Sequence, residues 1–135
     1  MPLDVSRIKG LCFDVDGTLI DTGEAIIGSL KRLLLEELGK EYTDEELYFS
    51  FGIPGNVTLE KFGVTDVEGS LAKWLGYMTA FNDTIKVYDG IENCLKRLKA
   101  AHIKLGIVTS KSRVEFMDNF VPLGLADYFD YVVCA

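Results

Sequence analysis

Phe13-Asp14-Val15-Asp16-Gly17-Thr18-Leu19 sets two aspartates at the end of an apolar run and closes that run with glycine. Leu11, Cys12, Phe13 and Val15 are nearly continuous apolar residues. A short apolar run stopped by Asp-Gly reads as a buried parallel strand. In open parallel sheets, ligands gather beyond the carboxyl ends of the strands. The two aspartates therefore stand where a site would form. Their spacing of two puts both side chains on one side if the strand continues, and a turn at Gly17 can aim them into one crevice.

Outward from this loop the pattern becomes helical. Asp21 stands three residues before Glu24 in a capping arrangement, and Ile27, Leu30, Leu34 and Leu38 follow at helical spacing up to Gly39. Thr43 with Glu46 opens a short helix through residues 47–51, and Gly52-Ile53-Pro54-Gly55 breaks it. A short helix through 59–62 follows. Thr65 with Glu68 forms a third capping pattern, ahead of a stripe of Val67, Leu71, Trp74, Leu75, Met78 and Phe81. The period then changes. Residues 85–88 are short and extended, Ile91, Leu95 and Leu98 mark another helix, and residues 103–108 form a second apolar strand ending at Thr109-Ser110. Phe116, Met117 and Phe120 predict a helix closed by Pro122 and Gly124, and residues 131–134 begin a further strand.

Strands alternating with helices predict an α/β fold with a parallel sheet. The expected organisation is a Rossmann-like parallel-sheet core, of which this is the N-terminal part, from residues 1–19 and 85–135. Residues 20–84 are expected to form an inserted α-helical cap. A sheet that stops after its third strand leaves an open edge, so the chain reads as the N-terminal portion of a larger domain.

Composition narrows the partners. Net charge is −7, which argues against nucleic-acid backbones and anionic membranes. A small phosphate substrate stays compatible, because a divalent cation and a few amides can reverse the field in one pocket. Cys12, Cys94 and Cys134 are isolated and odd in number, which disfavours a disulfide framework or a zinc site. Cys12 and Cys134 lie in apolar runs, where free cysteine packs as a small hydrophobe. Neither a signal-peptide core nor a membrane-length apolar run is present, so a soluble, cytoplasmic protein is expected. Oligomeric state is not legible.

Two carboxylates this close repel, so a cation between them or a shared proton is expected. Magnesium suits one or two carboxylates plus waters and a substrate phosphate. One carboxylate can attack phosphorus while the other protonates the leaving oxygen and then activates water. Gly17 lets backbone amides approach the phosphate, and Thr18 adds a hydroxyl. Thr109 and Ser110, at a strand end before a helix, form a second anion-binding element.

Asp14-Val15-Asp16-Gly17-Thr18-Leu19 with Asp21-Thr22 resembles the first motif of the haloacid dehalogenase-like phosphohydrolase superfamily. Thr109 matches that family's second motif. The resemblance implies Asp14 as nucleophile, Asp16 as general acid/base, and Mg2+ held by the Asp14 carboxylate and the Asp16 backbone carbonyl. It also implies that Thr109 and Ser110 hold the transferring phosphoryl group. A later lysine and further metal carboxylates, which the family requires, would lie beyond Ala135. The loop and cap sequence look most like phosphoglycolate phosphatases and pyrophosphatase-like members, so a small phosphorylated metabolite is the expected substrate. A β-phosphoglucomutase-like phosphomutase, or an incomplete phosphate- or partner-binding fragment without turnover, are the alternatives. A dehalogenase is disfavoured because that chemistry does not require Asp16.

Other candidates read more plainly. Lys111 and Arg113 are expected as solvated charges, Asp21 as a helix cap, and His102 as a surface residue at a helix end. Trp74, Met78 and Phe81 are expected in a cap core. Residues 51–56 fit a substrate-facing loop and a simple inter-helix turn equally well.

Overall fold

The computed structural model describes residues 4–135, so residues 1–3 of the expected core segment lie outside it. Three strands, β1 (Gly10–Phe13), β4 (Lys104–Val108) and β5 (Tyr131–Val133), form a parallel sheet in the order β1-β4-β5. Leu11 pairs with Leu105 and Phe13 with Ile107, while Ile107 pairs with Val132. Because side chains alternate across a strand, these residues share one face. There they pack with Leu95 of helix α5 (Ile91–Ala100) and with Phe116, Phe120 and Leu125. Asp130 fastens the entry to β5: its N–H donates to the Leu105 carbonyl at 2.8 Å and its carboxylate accepts from the Leu105 N–H at 2.9 Å.

The same register places Cys12, Gly106, Val108, Tyr131 and Val133 on the opposite face. Cys12, Val108, Tyr131 and Val133 are exposed there. This corrects the reading of β1 as a buried strand and of Cys12 as a packed hydrophobe. Among the described residues, helices cover one face of the sheet only.

Residues between the first two sheet strands fold mainly as helices: α1 (Gly23–Leu38), α2 (Asp44–Leu47), α3 (Gly55–Lys61) and α4 (Val67–Thr79). They enclose a second cluster containing Leu30, Leu33, Leu34, Leu47, Leu59, Trp74 and Met78. Thr43 and Glu46 make the reciprocal capping bonds that open α2. The third expected capping pattern fails: Asp66, not Thr65, caps α4 by accepting from the Gly69 N–H. Asp21 does not cap with Glu24 either. Its carboxylate accepts from the Gly23 N–H at 3.1 Å, and Thr22 occupies the N-cap position.

Residues 85–88 do not join the parallel sheet. β3 (Lys86–Val87) pairs antiparallel with β2 (Ile20–Asp21), a two-stranded ribbon where the chain leaves and re-enters the sheet unit. Ile20 and Ile85 are buried in the sheet cluster. Phe81 departs from the helical stripe and packs on that same cluster. It uses the space above Gly28, where a Cβ would lie 2.7 Å from the Phe81 ring. The segment expected as one helix before Pro122 is α6 (Arg113–Glu115), a π-helical turn over Phe116–Phe120 and a 3-10 turn over Val121–Leu123.

Candidate functional site

The loop after β1 is wound tightly around one buried carbonyl. Val15 is fully buried, and its C=O accepts from the N–H groups of Thr18, Leu19 and Ile20 at 3.2, 2.9 and 3.3 Å. Gly17 makes the turn at φ +76°, a left-handed conformation costly for other residues, and donates to the Ile20 carbonyl at 2.9 Å. Leu19 and Ile20 anchor the far side in the core with no exposed surface. The sequence thus builds a rigid mount for two carboxylates.

The carboxylates do not point at a shared partner. β1 ends at Phe13, so the alternation that would align Asp14 with Asp16 stops before both. Asp14 is exposed, and one of its oxygens accepts from the Val15 N–H at 2.7 Å. The Asp16 carboxylate accepts from the Thr22 hydroxyl at 2.7 Å and from Lys111 Nζ at 2.9 and 3.2 Å. Asp16 thus pairs with an ammonium of this chain. The reading of Lys111 as a solvated charge is therefore corrected: its side chain is 3 % exposed. An ammonium removed from water needs such a partner. Arg113 is exposed, and so is His102, which takes a left-handed φ of 61°.

Thr109 follows β4 and is 7 % exposed. Its N–H donates to the Val133 carbonyl at 3.0 Å, and its hydroxyl oxygen accepts from the Lys111 N–H at 3.1 Å. That arrangement leaves the Thr109 O–H as a donor. Ser112 and Glu115 then exchange capping bonds at the start of α6.

Asp16, Ser110 and Lys111 line one cavity together with Ser50, Gly52, Ile53, Gly55 and Trp74 from the helical unit. Gly52, Ile53 and Gly55 of the 51–56 stretch thus line the same cavity as Asp16. Asp14, Gly17, Thr18 and Thr109 do not line it. The space is about 30 Å³, room for one or two waters. Gly17 and Asp16 also border a cleft walled by Phe51 and Tyr88.

Among the described residues no group of three or more His, Cys, Asp or Glu could enclose a metal ion. What is offered is narrower: among the described residues the second Asp14 oxygen takes no hydrogen bond, and neither does the Asp16 backbone carbonyl. Two oxygen donors fit part of an octahedral magnesium shell completed by water and phosphate. Sequence reasoning named Thr22 only within the first motif and read Lys111 as a solvated charge, because the partner of Lys111 lies 95 positions away.

The model of the haloacid dehalogenase-like hydrolase family matches residues 11–135. A protein of Caldanaerobacter subterraneus subsp. tengcongensis named "Putative pyrophosphatase PpaX" is 34 % identical over 128 residues, which are 94 % of this chain and 58 % of that protein. A crystal structure described as "a predicted phosphatase from Clostridium acetobutylicum" superposes with a TM-score of 0.81 at 30 % identity, covering 96 % of this chain and 62 % of the other. A Lactobacillus plantarum structure described as a "putative phosphoglycolate phosphatase" gives 0.82 at 22 % identity, over 94 % and 61 %, a likeness of fold. The chain thus spans about three-fifths of the relatives it matches. It belongs to the haloacid dehalogenase-like hydrolase family, with that family's α/β core.

Proposed function

From that membership, we propose that the protein carrying this chain is a magnesium-dependent phosphohydrolase that releases phosphate from a small phosphorylated metabolite through an aspartyl-phosphate. The observation that carries the reading is the cavity where Asp16, Ser110 and Lys111 meet the helical loop, on the lip of the strand ends that hold Asp14 and Thr109. Phosphatase and pyrophosphatase names among the relatives support it.

In this account an Asp14 oxygen forms a bond to phosphorus as the ester oxygen leaves. Asp16 gives that oxygen a proton, then takes one from the water that attacks the phosphoryl group on Asp14. Acid/base assistance of this kind is worth roughly 10²–10⁴-fold in rate. Thr109 and Ser110 donate to phosphoryl oxygens, with Gly17 and Thr18 lining the approach. Magnesium would be held by the Asp14 carboxylate and the Asp16 carbonyl, and would supply charge neutralisation at the phosphoryl oxygens. Residues 1–19 and 85–135 would act as the core, and residues 20–84 as a cap excluding water. The cavity is small, about 30 Å³, so in this reading the 51–56 loop moves to admit an ester. Three free cysteines support a reducing, cytoplasmic setting.

Asp14→Asn is expected to abolish phosphate release from p-nitrophenyl phosphate, and chelation of magnesium is expected to do the same. Turnover that survives the substitution overturns the nucleophile assignment. Turnover that survives chelation overturns the metal.

A further inference from the structure

Lys111 lies outside every role assigned so far, yet it is the most constrained cation of the chain's site. Its side chain is 3 % exposed. Its ammonium reaches both oxygens of Asp16, at 2.9 and 3.2 Å. Its backbone is fixed on both sides: the N–H donates to the Thr109 hydroxyl oxygen at 3.1 Å, and the C=O accepts from the Ala135 N–H at 2.9 Å. The nearby acid that could compete, Glu115, is committed to the N–H and hydroxyl of Ser112, both at 2.9 Å. The same Asp16 oxygen that meets Lys111 at 2.9 Å also accepts from Thr22 at 2.7 Å.

We propose that Lys111 is a positioning residue for the acid/base step: with Thr22 it clamps the Asp16 carboxylate at the cavity wall, on the side where a leaving group would depart. This rests on the phosphohydrolase reading above. An unclamped carboxylate on a loop samples several rotamers, whereas catalysis needs it in one. The clamp joins residues from the loop after β1 and the loop after β4, so it also fixes the spacing between Asp16 and Thr109. Among the described residues Lys111 forms no hydrogen bond or ion pair with Asp14.

A positioning role has a signature that lost stability does not. p-Nitrophenolate leaves without a proton, whereas an alkoxide needs one. Lys111→Met is therefore expected to slow phosphoenzyme formation from an alkyl monophosphate, read as the pre-steady-state release of the alcohol, by about 100-fold or more, the scale of a lost general acid. The pre-steady-state release of p-nitrophenol should slow by less than about 5-fold, while hydrolysis of the phosphoenzyme, which needs Asp16 as base, slows alike for both substrates. Lys111→Arg keeps a charge on Asp16 and is expected to restore part of the alkyl activity. Equal losses in the pre-steady-state release from both substrates, or none from either, overturn the clamp. If Lys111→Met does not fold, Thr22→Val carries the same test, with a smaller loss of the same selectivity.

Should the unsubstituted protein turn over neither substrate, the phosphohydrolase reading fails and the clamp is judged separately by reductive methylation. Lys111 is expected to resist labelling while exposed Lys40 reacts, and to become reactive in Asp16→Asn. Labelling of Lys111 at the rate of Lys40 in the unsubstituted protein overturns it.

Discussion

Removing one hydroxyl from the seam between α1 and α4 should loosen both that seam and the cavity beside it. Ser29 is fully buried; its oxygen accepts from the Trp74 indole N–H at 2.8 Å, and its own hydrogen goes to the Ala25 carbonyl. Ser29→Ala leaves the indole N–H buried without an acceptor, at a cost of about 1–3 kcal/mol. Better helix propensity returns about 0.5 kcal/mol. The net loss is then about 0.5–2.5 kcal/mol. Trp74→Phe removes the donor and one ring, and the hydroxyl keeps its bond to Ala25. That change costs about 1–3 kcal/mol in lost burial, less than full truncation. In the double variant no indole remains to be orphaned, so Ser29→Ala should cost nothing further or help slightly. The cycle should therefore show a coupling of about 1–3 kcal/mol. Urea unfolding followed by circular dichroism measures it, since Trp74 is the only tryptophan and fluorescence would vanish with it. Losses that add to within about 0.5 kcal/mol would refute the reasoning. Trp74 also lines the Asp16 cavity, so the same variants should raise KM before they lower kcat.

Two other substitutions test the frame around the site. The Leu105 N–H, and then Lys99, hold the Asp130 carboxyl below its ordinary value. A carboxyl lowered in the folded state stabilises above its unfolded pKa, and the benefit is lost as pH falls through the folded value. Asp130→Asn should therefore be less stable than the unsubstituted chain near neutrality, with the two urea midpoints converging in acid. A gap that widens in acid contradicts the assignment. At Gly17, where an added Cβ would meet no atom within 4 Å, alanine should cost only the left-handed backbone penalty of about 1–2 kcal/mol. A thermal unfolding series checks this, and a loss far above that range would mean the loop is held by more than its turn.

The features legible in the sequence were those encoded locally. The Thr43–Glu46 box, the apolar periods of α1 and α5 and the two runs that became β1 and β4 all depend on residues a few positions apart. What stayed hidden depends on distant partners or on very short elements. β2 and β3 have two residues each, too few to show a period. Cys12 shares its run with core residues, and only the register of the sheet puts it on the uncovered face. Asp66 took the cap from Thr65 because either oxygen can serve, and local spacing does not rank them. Lys111 reads as surface charge in any short window, because burial follows from an aspartate on another strand's loop. The candidate site was thus legible as residues at strand ends, while the ion pair and the facing loop came from packing.

The central claim is that Asp14 carries the phosphoryl group. The direct measurement is to quench turnover of a small phosphate ester in acid, reduce the protein with borohydride, and map the product by mass spectrometry. A phosphorylated carboxyl is reduced to an alcohol, so the account predicts homoserine at position 14 in the unsubstituted protein and none in Asp14→Asn. Continued turnover with no reduction at position 14, or reduction at another carboxylate, would contradict it.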